Sequence, residues 1–247
     1  EQSAMGVFAI AGYVFNPDDC KRFERQWQKA LASTRPLLPR FHMSEFENRR
    51  GPYASWRDNY RHQFLNQLID TIRRNTRLLV SAAIDLRALA SLSNEDRQLL
   101  NNPTPYRFCF EICLEGVINW LNDNGHKEPV AYVLDNVGRD KGKGRLQDEF
   151  TQMNNNPEEH DFFRIASLTW TDSAKVPQLQ AADFLVYETA KEAAYKLGRS
   201  SRPPRKSAMR LLQGTTAGNR RAVLVDQQFI GRLLCAASDE FGTDFTE

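Results

Sequence analysis

Asp183 interrupts an otherwise apolar and aromatic run, with Leu179, Ala181 and Ala182 before it and Phe184, Leu185, Val186 and Tyr187 after it. The run has the spacing of a helix packed against a sheet, and an ionised carboxylate buried there is costly unless a cation or strong donors compensate. A metal ion, an arginine or backbone N–H groups would serve, and a buried structural salt bridge is the alternative. Gln180 lies one turn earlier on the same face, placed to assist by hydrogen bonding. Asp135 closes the apolar run Pro129 to Leu134 and precedes a basic, glycine-containing stretch. Ligands of α/β sheets gather beyond the carboxyl ends of strands, although an Asp there is as often a turn or helix cap. Two carboxylates, one from a strand end and one from a facing helix, are the parts of a hard-metal site for Mg²⁺ or Mn²⁺, which favours oxygen ligands and keeps several waters. Such a site suits phosphodiester hydrolysis, although a two-metal clamp, with ions about 4 Å apart, needs further carboxylates.

His42 stands between Phe41 and Met43 in a loop, where an imidazole could carry a proton near neutral pH or contact phosphate; a satisfied core histidine is the other reading. Arg139, Lys141, Lys143 and Arg145 follow Asp135 against a single acid, Asp140, and could steer a phosphate backbone; a solvated loop is the alternative. A second basic stretch, Lys196 to Arg210, holds six basic residues and no acid. Asp85 follows the apolar run Leu78 to Ile84 and is read as a cap, because an edge strand would hold it too far from Asp135 to share an ion. Glu111 and Glu115, one turn apart, are assigned to solvent.

The elements that must position these groups are legible from periodicity. Val7 to Phe15, Leu78 to Ile84, Pro129 to Leu134 and Phe162 to Trp170 are short apolar runs expected as strands. A helix is expected after Asn16-Pro17, with Asn16 as its cap and Phe23, Trp27, Ala30 and Leu31 on one face. Further helices are expected at Ser55 to Asn75, Tyr106 to Leu121, Arg145 to Met153 and Pro177 to Leu197, while Ala222 to Ala237 is a closing apolar stretch. Alternating strands and helices predict one α/β domain over residues 1–247, with a mixed sheet flanked by helices, a helical insertion at about 17–76 and a C-terminal extension at about 198–247.

With 247 residues, 41% hydrophobic and 26% charged, the composition excludes disordered and fibrous classes. No apolar run reaches the roughly 20 residues needed to span a bilayer. The first residues do not read as a secretory signal, so a cytoplasmic site is expected. Cys20, Cys109, Cys113 and Cys235 form no CxxC pair and are expected as buried thiols.

The succession Gly6-Val7-Phe8-Ala9-Ile10-Ala11-Gly12-Tyr13, Phe41-His42-Met43, a strand closing on Asp135, and Leu179-Gln180-Ala181-Ala182-Asp183 resembles the domain-of-unknown-function 3800 family, over roughly residues 1 to 197. The resemblance implies a ribonuclease H-like fold and a metal-dependent nuclease, with Asp135 as the central-strand acid, Asp183 as the helix acid and His42 in the family's Phe-His element. The family begins with an Asp-Glu-Ser-Gly-like first strand that is absent here; Glu1 either corresponds to its Glu, as a further metal ligand, or has no counterpart. A partner chain, a homo-oligomer or an altered sheet is then expected to compensate. The competing expectation is a non-catalytic nucleic-acid or partner-binding module on a degenerate ribonuclease H-like fold.

Overall fold

Val7–Val14 (β1) and Leu78–Asp85 (β2) form an antiparallel pair in unbroken register, from Val7 opposite Asp85 to Val14 opposite Leu78. Their alternating side chains serve two cores. Phe8, Ile10, Val14, Leu78, Val80, Ala82 and Ile84 join one, while Ala11, Tyr13 and Leu79 join a second and Val7, Ala9 and Ala83 a third on that same opposite face. β2 is buried along its whole length, as a strand covered on both faces must be. The computed structural model describes residues 5–101, 103–136, 151, 153, 155–214 and 219–242. Within them the protein is a mixed α/β structure.

Between β1 and β2 the chain makes Pro17–Ala32 (α1), Met43–Glu47 (α2), a 3₁₀ turn at Gly51–Tyr53 and Asp58–Asn75 (α3), so this stretch is helical as expected. Asn16 takes the expected N-cap position of α1, but its side chain makes no capping bond: its Oδ1 instead accepts from Arg77 Nε at 3.1 Å. These helices build an aromatic core around Phe41, whose ring centroid lies 5.6–6.4 Å from those of Trp27, Phe46, Tyr53, Phe64 and Phe184. Most of these pairs are tilted or edge-on, the geometry in which the positive ring edge meets a negative face.

After β2 come Leu86–Ala90 (α4), Asn94–Leu99 (α5) and Pro105–Asp123 (α6), then Val130–Asp135 (β3). Pro157–Phe162 (α7) precedes Ile165–Thr171 (β4). The strand expected from Phe162 therefore begins three residues later. Asn156 accepts from Glu158 N and Pro157 opens the helix, so Phe162 belongs to α7 and Phe163 to its cap. The helix expected at Arg145 to Met153 lies largely outside the described residues.

Pro177–Lys196 (α8) follows, then Lys206–Leu212 (α9), Arg220–Val225 (β5) and Gln227–Gly242 (α10). The closing apolar stretch thus divides into a strand and a helix. β5 pairs parallel to β2, from Leu79 opposite Arg220 to Ile84 opposite Val225, so the C-terminal extension completes a sheet. The described strands form two sheets, β1-β2-β5 and a parallel pair β3-β4. This places β2 in the middle of its sheet and corrects the edge position expected for the strand of Asp85.

The two sheets share one core under α6, where Val130, Tyr132, Leu134, Leu168 and Trp170 pack with Cys113, Leu114 and Val117. On the opposite side α8 approaches β1 closely through Ala190, Ala193 and Ala194 against Val7 and Ala9. Its buried side includes Leu179, Ala181, Phe184, Leu185, Glu188, Ala190 and Ala193. Cys109 and Cys113 are buried free thiols, Cys20 is half-buried, and Cys235 is exposed, contrary to expectation. Among the described residues no helix is long and apolar enough to cross a membrane.

Candidate metal centre

Helix α8 starts at Pro177, where a missing N–H is no loss, and brings Asp183 into its second turn. The segment Arg40 to Met43 lies across this turn, held down by the burial of Phe41 and Met43. Met43 N donates to Asp183 Oδ2 at 2.9 Å. Asp135 is the last residue of β3, and its Oδ1 accepts from Ser173 N at 3.0 Å, just beyond β4. Each carboxylate is thus gripped by one backbone N–H from a neighbouring loop.

Asp183 and Asp135 are electrostatic neighbours. Burial raises the Asp183 carboxyl above its ordinary value, and the negative charge of Asp135 adds to that rise; the Met43 N–H, His42 and Arg40 pull the other way without cancelling it. His42 is half-buried with Nδ1 3.2 Å from Ser44 Oγ, which leaves Nε2 outside that contact. Tyr53 closes the far side of the loop. Its hydroxyl donates to the Arg40 carbonyl at 3.4 Å, and its pKa is pushed up to about 12, chiefly by burial.

The structure therefore brings Asp135, Asp183 and His42 into one neighbourhood, while Glu1, Arg139, Lys141, Lys143 and Arg145 lie outside the described residues. Gln180 does not bond to Asp183. Its side chain, 3% exposed, turns to Trp27, Phe41 and Ser173 instead. Asp85 is a cap: its Oδ1 accepts from Arg87 N and Ala88 N at the start of α4, and it is ion-paired with Arg199. Glu115 is exposed and Glu111 half-buried, beside a cavity of about 360 Å³ that Glu158 and Glu159 also line.

Three participants carry no clear signal in the sequence: the backbone N–H groups of Met43 and Ser173, and Arg40. Arg40 is half-exposed, paired with Glu45 at 3.2 Å, and close enough to Asp183 to favour its ionised form. Its position next to Phe41-His42 was the available clue.

Among the described residues no arginine or lysine forms an ion pair with Asp135 or Asp183, and no group of three or more His, Cys, Asp or Glu side chains is arranged to hold a metal ion. The fit for Mg²⁺ or Mn²⁺ rests on the two carboxylates. Each has one oxygen bound by a backbone N–H, while Asp135 Oδ2 and Asp183 Oδ1 have no protein hydrogen bond among the described residues. Two hard oxygen donors with adjacent negative charge suit a divalent ion whose remaining positions are filled by water. No family model, curated protein or solved structure matches this chain.

Proposed function

We propose that this protein is a divalent-metal-dependent nuclease that hydrolyses phosphodiester bonds in nucleic acid, built on a ribonuclease H-like framework and related to the domain-of-unknown-function 3800 family. One observation carries the reading: two carboxylates, from a strand end and a facing helix, sit close enough for the charge of Asp135 to disfavour that of Asp183, and neither has a basic ion-pair partner among the described residues. The antiparallel β1-β2 pair, the parallel β3-β4 pair and helices on their faces are compatible with the framework.

Asp135 and Asp183 would hold Mg²⁺ or Mn²⁺. When bound, such an ion supplies charge stabilisation at the phosphoryl oxygens and lowers the pKa of a coordinated water. His42 takes or returns a proton at Nε2, since its Nδ1 faces Ser44. Arg40 places a positive charge beside the pair and draws the substrate phosphate. Arg139, Lys141, Lys143 and Arg145, which follow Asp135 in sequence, steer the backbone through charge alone.

Thermal unfolding of the parent, Asp135→Asn and Asp183→Asn, with and without Mn²⁺, tests the site. At an ion concentration of about 100 times Kd the parent gains about 2.7 kcal/mol, or about 5–10 °C for a chain of this size. Neither variant gains it. Equal stabilisation of all three removes the metal site. The limitation to two carboxylates favours a second reading, a metal-binding module that holds nucleic acid without cutting it. Metal-dependent cleavage of single- or double-stranded DNA or RNA, lost in both variants, separates the nuclease from that module.

A further inference from the structure

Gln180 is a neutral amide buried among aromatic rings, a setting that requires its polar atoms to find partners. Its Oε1 accepts from Trp27 Nε1 at 3.0 Å and from Phe41 N at 2.9 Å, and its Nε2 donates to the Ser173 carbonyl at 3.1 Å. The oxygen has two donors and the nitrogen faces a carbonyl, so the amide has one satisfactory orientation.

These partners lie on the two segments that hold the carboxylates. Phe41 is two residues before Met43, whose N–H donates to Asp183. Ser173 is held at both ends, since its N–H donates to Asp135 and its carbonyl accepts from Gln180. α8 contributes Asp183 directly and Gln180 one turn earlier, so one rigid helix controls both loops.

We propose that Gln180 is the positioning residue of this site, its amide tying the Phe41–Met43 and Ser173 segments together so that the Asp183 and Asp135 carboxylates are presented as a pair. The inference depends on the nuclease reading only for the purpose of that pair. The mechanical link from one amide to two loops can be tested without metal.

Residue-resolved amide hydrogen exchange on the parent and on Gln180→Met, which keeps the length of the side chain, reads the link directly. In the variant, exchange at Met43 and Ser173 should accelerate about tenfold, the equivalent of one lost hydrogen bond. Exchange at Ala82, in the middle of β2, should change by less than about twofold. Equal acceleration at all three sites means that Gln180 merely fills space; no acceleration at Met43 and Ser173 means that it holds neither loop. Either result overturns the proposal.

The parent provides an independent measurement should the variant fold poorly. The Gln180 side-chain amide protons and the backbone amides of Phe41, Met43 and Ser173 should exchange through one shared opening, with a common dependence on denaturant. Separate openings refute the link. A Mn²⁺ titration then addresses the site: Kd should rise about tenfold in Gln180→Met, whereas an unchanged Kd refutes the positioning role. A parent that binds no Mn²⁺ defeats the nuclease reading, while the exchange experiment still decides the role of Gln180.

Discussion

The C-terminal end of α8 is anchored by a buried junction whose removal has a calculable consequence. Arg199 donates through Nη2 to Asp85 and through Nη1 to the Gly6 carbonyl, and both charged side chains are 13% exposed. Asp85 Oδ1 also caps α4 by accepting from Arg87 N at 2.7 Å. Gly6 has φ +63°, a conformation that L side chains rarely adopt, and a Cβ there would come within 2.7 Å of Arg199 Nη1 and displace the guanidinium. Asp85→Ala removes the cap and leaves Arg199 without its carboxylate; the broken ion pair sets the scale at about 3–5 kcal/mol. Asp85→Asn keeps an oxygen for Arg87 N and loses only the charge, for about 1.5–3 kcal/mol. Urea unfolding followed by circular dichroism measures both, and a double-mutant cycle with Arg199→Leu should give a coupling above about 1 kcal/mol.

The pH dependence has a definite sign. Burial raises the Asp85 carboxyl, but bonds from Arg199, Arg87 and Ala88 outweigh it, and the net result lies below the ordinary value of 3.8. The stabilisation from Asp85 is therefore present above the unfolded-state value and lost as pH falls through the folded-state value. Asp85→Asn should lose less stability than the parent in that acidic window. Additive cycle energies, or an acid profile unaltered by Asp85→Asn, would refute the anchoring role.

Glu188 predicts the opposite slope: its carboxylate is 1% exposed and lies 2.9 Å from Arg205 Nη2 without hydrogen-bond geometry, and burial holds its pKa above 4.5. Parent stability should fall as pH rises from about 4.5 through that raised value, and Glu188→Gln should flatten the curve in urea titrations; an identical slope would count against the assignment. Phe41→Ala should destabilise by about 3–5 kcal/mol, with Phe41→Leu milder, as deletion of a fully buried ring from a packed aromatic cluster requires. A loss below about 1 kcal/mol, measured by denaturant unfolding, would mean that the Arg40–Met43 loop is not held by this ring.

Asp183 was legible because an acid amid apolar neighbours on a helical stripe has few explanations, and Asp135 because it ends an apolar strand. The partners of Gln180 were not legible. Helical spacing puts residues 180 and 183 on neighbouring turns, but cannot reveal that Trp27 and Phe41 N, 153 and 139 positions away, would claim the amide. The same holds for Asn16, which takes the cap position of α1 while its side-chain oxygen is claimed by Arg77 from 61 positions away. Phe162-Phe163 looked like the start of a strand because two adjacent aromatics carry no period, and the signals at Asn156 and Pro157 decided otherwise. The Met43 and Ser173 donors belong to the backbone, which is chemically the same at nearly every residue, so only folded geometry distinguishes them.

The parallel pairing of Arg220–Val225 with the buried strand Leu78–Asp85 joins positions about 140 apart, and it bears on how the molecule is made. During translation that inner strand emerges long before its late neighbour, leaving one flank of backbone groups open to competing chains on the ribosome. The second flank of that inner strand is therefore covered only after Val225 has cleared the exit tunnel.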